Sequence, residues 1–76
     1  MIGLKQGDKS ESVAYLQELL ERAGHTPGKI DGDYGSKTVA AVLACRKAQG
    51  STANSGTPIT GSAGAQIMTA FVKKVA

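Results

Sequence analysis

Three amphipathic runs alternate with turn-rich stretches along this chain. "SESVAYLQELLERAG" is the first: Val13, Leu16, Leu20 and Ala23 recur at helical spacing, and Leu19 widens the stripe. Ser10 or Asp8 can cap its start, Asp8 with Glu11 having capping-box form, and Gly24 stands where a left-handed residue ends a helix. The second run predicts a helix from about Ser36, the expected N-cap, to Ala48. Ala41, Val42 and Cys45 share one face of it with Thr38 beside them, and Gly50 is its stop. A third helix, from about Ser62 to Val75, is expected to turn Ile67, Met68, Phe71, Val72 and Val75 inward. Lys73 and Lys74 fall in its last turn, where cations suit the helix dipole. "HTPGKIDGDYG" reads as turns and "STANSGTP" as a polar loop, leaving room only for short extended pieces near Ile30 and Ile59. The pattern predicts an all-α fold, a compact three-helix bundle with long Gly-rich turns.

An internal echo links two of the helix starts. "IDGDYGSKTVAAV" from Ile30 overlays "ITGSAGAQIMTAF" from Ile59, so that Gly32 pairs with Gly61, Gly35 with Gly64, Ala41 with Ala70 and Val42 with Phe71. Each copy is an isoleucine, a Gly-x-x-Gly turn and an amphipathic helix. The expectation is a reused helix-start device, with the isoleucine plugging the core. Gly32, Gly35, Gly61 and Gly64 are then structural turn residues with backbone angles closed to other side chains.

Size and composition narrow the possibilities. The 76 residues make one domain, 1–76, with an apolar fraction of 41% but no Trp, one Phe and two Tyr, so the core must be aliphatic. Cys45 is the single cysteine, which excludes an intrachain disulfide framework. No apolar run approaches the roughly 20 residues of a membrane span, so no membrane partner is expected. "MIGLKQGDKS" carries no hydrophobic segment and reads as no secretory signal. The net charge of +3 permits an anionic partner, but Lys5, Arg22, Lys37, Arg46 and Lys73 are scattered rather than lined on one helix. That scatter argues against nucleic acid.

The stretch "GKIDGDYGSKT" concentrates the candidate chemistry. Asp31-x-Asp33 has the opening spacing of a calcium loop, but its twelfth position, where a bidentate Glu belongs, is Val42. Ser36 separates Gly35 from Lys37, so the phosphate-loop order is broken as well. The single histidine, His25, lies in a separate turn, and Cys45 sits on an apolar helix face as a buried thiol. Neither catalytic residues, nor a metal, nor a cofactor are expected. Asp31 and Asp33 can accept backbone N–H bonds in the turn, Gln17 is expected to bond loop backbone, and Tyr34 is expected to be half exposed.

"LKQGDKSESVAYLQELLERAGHTPGKIDGDYGSKTVAAV" resembles the peptidoglycan-binding domain appended to bacterial and phage cell-wall hydrolases. The residues that carry the likeness are Leu4, Gly7, Val13, Leu16, Gln17, Leu20, Gly24, Asp31, Gly32, Gly35, Thr38, Ala41 and Val42. The second half departs from the pattern. Cys45-Arg46 replaces Phe-Gln, the loop after helix two is longer, and Ile67-Met68 replaces the usual Thr-Trp. The resemblance implies a non-catalytic three-helix module whose partners are peptidoglycan glycan and its stem peptides. Asp31, Asp33, Tyr34, Lys37 and Arg46 are its candidate ligand-binding residues. Tyr34 could stack on a sugar or simply cover the turn, and Lys37 and Arg46 could reach stem-peptide carboxylates or stand as ordinary solvated charges. Without a leader and with a free Cys, a phage product acting at the cell wall fits best. Two alternatives are a decoration subunit of a phage particle, with other virion proteins as partners, and, as an outsider, a small DNA-binding three-helix domain.

Overall fold

The computed structural model describes residues 1–75. Three helices follow one another: α1 (Glu11–Arg22), α2 (Ser36–Ala48) and α3 (Gly61–Val75). Each packs against the other two, and α3 is the common partner. The architecture is the expected all-α bundle, and among the described residues there is no strand beyond a single bridge between Lys9 and Asp33.

The helix ends follow from side chains and glycines. Ser10 caps α1, its Oγ accepting the Val13 N–H at 3.2 Å. Asp8 does not act as a cap. Its carboxylate instead takes the Lys5 N–H at 3.0 Å, and that backbone bond is the main reason its pKa lies below the ordinary 3.8. α1 and α2 end in the same way. His25 N–H bonds Leu20 O and Gly24 N–H bonds Glu21 O; Ser51 N–H bonds Arg46 O and Gly50 N–H bonds Lys47 O. This is the paired closure of a Schellman motif, with a left-handed glycine at each corner. The N-cap of α2 is Gly35, and Ser36 is already the first helical residue.

The core is mostly aliphatic, but its largest fully buried side chain is Tyr34, so the purely aliphatic core expected from composition is only partly realised. Val13, Leu16, Leu19 and Leu20 from α1 meet Ala41, Val42 and Cys45 from α2 and Ala63, Ile67 and Ala70 from α3. Thr38 is buried beside the α2 face. The face predicted for α3 was wrong in part. Ile67 is buried and Phe71 half-buried, but Met68, Val72 and Val75 are exposed. The buried side of α3 is Ala63, Gly64, Ile67 and Ala70, with Gly64 against Met1, Ile2 and Ile59.

The echo is likewise only half realised. Ile59 is fully buried, whereas Ile30 is 42% exposed and plugs nothing. Of the four turn glycines, Gly32 alone has a positive φ, 75°, and a Cβ there would lie 2.9 Å from Ser10 O. Gly35 is extended with open space around it, Gly61 is equally unobstructed, and Gly64 lies within helix α3 in ordinary contact with Met1, Ile2 and Ile59. The two copies differ because the N-terminal segment treats them differently. Residues 7–10 pair with the first turn through Gly7 N–H to Tyr34 O, Tyr34 N–H to Asp8 O and Ser10 N–H to Gly32 O. The second turn is held through Gly3 N–H to Ile59 O and Ile59 N–H to Leu4 O, both 2.7 Å. The N-terminal segment is therefore a seam between the two loops.

Candidate functional site

Lys29, Asp31, Asp33 and Gly35 alternate along the non-helical stretch that leads into α2. With Lys37, Ser36 and Thr38 from the first turn of α2, and with Pro27 and Gln17, they line one cleft of about 280 Å³. The stretch is bent rather than extended, with left-handed glycines at Gly28 and Gly32. These bends bring Lys29, Asp31, Asp33 and Gly35 to the cleft, while Tyr34 is buried in the core.

The turn under the cleft is fixed by one buried amide. Gln17, 1% exposed on α1, accepts the N–H groups of Asp31 at 3.1 Å and Gly32 at 2.9 Å through Oε1. Its Nε2 donates to Asp33 O at 3.0 Å, Thr38 Oγ1 at 3.1 Å and Asp31 Oδ1 at 3.2 Å. The expected bond from Gln17 to loop backbone is thus present, and it extends to side chains on α2 and in the turn. Asp31 Oδ1 also accepts the Asp33 N–H at 3.0 Å. That bond first, and the Gln17 bond second, holds the Asp31 carboxyl below the ordinary 3.8. Asp31 is therefore engaged in closing the turn. Asp33 is different: its carboxylate makes no hydrogen bond or ion pair among the described residues, and the ammonium groups of Lys29 and Lys37 make none either. The stem of Lys37 lies across Gly28, where an added Cβ would come within 2.9 Å of Lys37 Cδ.

Tyr34 overturns the expectation of a half-exposed, sugar-stacking ring. It is 1% exposed, and its hydroxyl donates to Gly56 O in the loop before α3. Burial pushes its pKa up to about 12. The long loop after α2 supplies the carbonyl that lets a tyrosine hydroxyl enter the core satisfied. Arg46 lies outside the cleft, half-buried, with Nε donating to Gln66 Oε1 at 2.8 Å across α2 and α3. Of the five candidate ligand-binding residues the structure therefore gathers Asp31, Asp33 and Lys37 and separates Tyr34 and Arg46. Lys29 is a cleft residue that the sequence reading passed over, and Gln17, read there as an amide bonding loop backbone, lines the cleft as well.

Two remaining reactive groups lie elsewhere. Cys45 is fully buried, with its thiol pKa raised by burial, and His25 lines a separate groove with Thr26, Lys37 and Ala44. No three His, Cys, Asp or Glu side chains converge among the described residues, and no helix there is long and apolar enough to cross a membrane.

Comparison with known proteins adds one finding. The family model of the peptidoglycan binding domain matches residues 9–71, while no curated protein and no solved structure matches the chain. The likeness read from the first 42 residues therefore continues through the loop after α2 and into α3. Since the matched span takes in α1 and α2 whole and reaches Phe71 on α3, the chain belongs to the peptidoglycan binding domain family.

Proposed function

We propose that the protein is a non-catalytic module that holds bacterial cell wall in the cleft between the Lys29–Gly35 stretch and the start of α2. The observation that carries this reading is the family match over residues 9–71, joined to a cleft with three uncommitted charges, Lys29, Asp33 and Lys37. The Gln17 network presets the backbone of the cleft floor, so ordering on binding is confined to the exposed side chains. The absence of catalysis is supported by the binding character of the family and by a lone thiol buried with a raised pKa. A shallow, mostly polar cleft suits micromolar affinity, about 8 kcal/mol.

The test is co-sedimentation of purified protein with insoluble peptidoglycan from several hosts. Pelleting that Lys37→Ala and Asp33→Ala weaken, with the helical spectrum intact, is the expected result. Protein left in the supernatant with every wall refutes the reading. The rival use of the fold as a particle subunit is favoured by the exposed row Met68, Val72 and Val75 on α3. A defined oligomer in solution together with no wall binding is the outcome that selects it.

A further inference from the structure

A glycan and a stem peptide place different demands on a protein. Sugar rings present C–H faces that are held by exposed aromatic faces, whereas the stems carry carboxylates and amines. The chain has three aromatic residues in all, Tyr15, Tyr34 and Phe71. Tyr34 is in the core, and Tyr15 and Phe71 line a different groove with Glu18, Leu19 and Arg22, on the surface shared by α1 and α3. No aromatic face lines the cleft. What lines it is charge of both signs: two ammonium groups and one carboxylate that are unengaged among the described residues, and Asp31 tied into the turn.

Resting on the wall-binding reading, we infer that this cleft takes the ionised groups of peptide stems rather than the glycan. A stem carboxylate meets Lys29 and Lys37, and a free stem amine meets Asp33. Both cations are on exposed side chains, so each contact is modest and screened by salt. Together they discriminate by charge pattern, which a row of hydroxyls on sugar rings cannot match. The consequence for the wall is concrete: acylating the stem amine in a cross-link, or amidating the stem carboxylates, removes a charge the cleft reads.

The experiment compares four probes on the intact chain. They are insoluble wall, peptide-free glycan strands, a synthetic stem tetrapeptide with free carboxylates and a free side-chain amine, and the same peptide with its carboxylates amidated and its amine acetylated. Wall and free peptide are expected to bind. Capping the peptide is expected to weaken binding about tenfold, the product of two or three exposed ion pairs. The double variant K29A/K37A is expected to lose about fivefold for the free peptide while keeping its melting curve, because both side chains are exposed. Raising salt weakens the free peptide and not the capped one. If wall is bound but glycan strands bind as well as wall, or capped peptide as well as free, the inference fails while the wall-binding reading stands. Glycan binding lost in Tyr15→Ala would then place the sugar on the α1/α3 groove instead. If no wall is bound, both fall together.

Discussion

Replacing Tyr34 by Phe isolates one oxygen atom. The ring remains and fills the same space, but the hydroxyl that donates to Gly56 O is gone. Gly56 is itself buried, and its carbonyl accepts no other hydrogen bond among the described residues. The change therefore removes a net favourable bond and strands a buried acceptor, together about 2 kcal/mol. That is a large share of the roughly 4–11 kcal/mol available to a domain of this length, and it corresponds to a melting temperature about 8–16 °C lower. A second signature reports the burial of the hydroxyl. An unfolded tyrosine titrates near 10 and Tyr34 at about 12, because burial disfavours its phenolate. The folded pKa is the higher one, so the associated stability is fully present below about pH 10 and is lost as pH rises through 12, amounting to roughly 2–3 kcal/mol. Urea unfolding followed by circular dichroism near neutral pH and again at about pH 11.5 reads both effects. Wild type should lose stability steeply with alkali and Tyr34→Phe should start lower but fall less. A variant as stable as wild type at neutral pH, with an equal alkaline slope, would refute the buried hydroxyl. Tyr34→Ala, by the same reasoning, should weaken wall binding only by unfolding the domain.

The other predictions concern the turn beneath the cleft. Gly32→Ala should cost about 1–3 kcal/mol, from its positive φ and the close Ser10 carbonyl, while Gly35→Ala should stay within about 0.5 kcal/mol of wild type; equal losses in urea titrations would contradict the geometry. Gln17→Leu should cost about 3–5 kcal/mol, since it strands the Asp31 and Gly32 N–H groups, and amide exchange at those two positions should accelerate before global unfolding does. The Asp31 carboxyl has a folded pKa below 3.8, so its contribution is present above that value and is lost as pH falls through the folded pKa. Acid titration of Asp31→Asn should accordingly show a shallower decline below about pH 4 than wild type.

How far the sequence could be read depended on how much each element constrains itself. α1 was fully legible because its stripe is one-sided: every large apolar residue at helical spacing is buried, and Tyr15 lies off the stripe. α3 was not, because Ile67, Met68, Phe71, Val72 and Val75 spread over an arc wider than two partner helices can cover. The buried side centres on Ile67 with the small Ala63, Gly64 and Ala70 beside it, a face that residue size alone does not pick out. The Ile30 and Ile59 echo was real as a pattern but could not reveal which copy the N-terminal segment would press into the core. In the site, the doublet Asp31 and Asp33 and the helix-start Lys37 were legible from their crowding. Tyr34 was misread because its destination depends on Gly56, twenty-two residues away, in a loop with no periodic signal.

Gly56 also governs where this domain can change length. A Cβ there would lie 1.9 Å from Val39 O, so the chain touches the α2 backbone at that point and can be neither thickened nor displaced. Gly50 fixes the other end, through the closure that stops α2. The segment between these anchors, with Thr52, Asn54 and Ser55 exposed, is suspended at both ends and carries no core residue. Extra residues can accumulate there without being transmitted to the bundle. The same property makes the Thr52–Ser55 segment the natural place to graft a label or a second recognition peptide, away from the cleft that begins at Lys29.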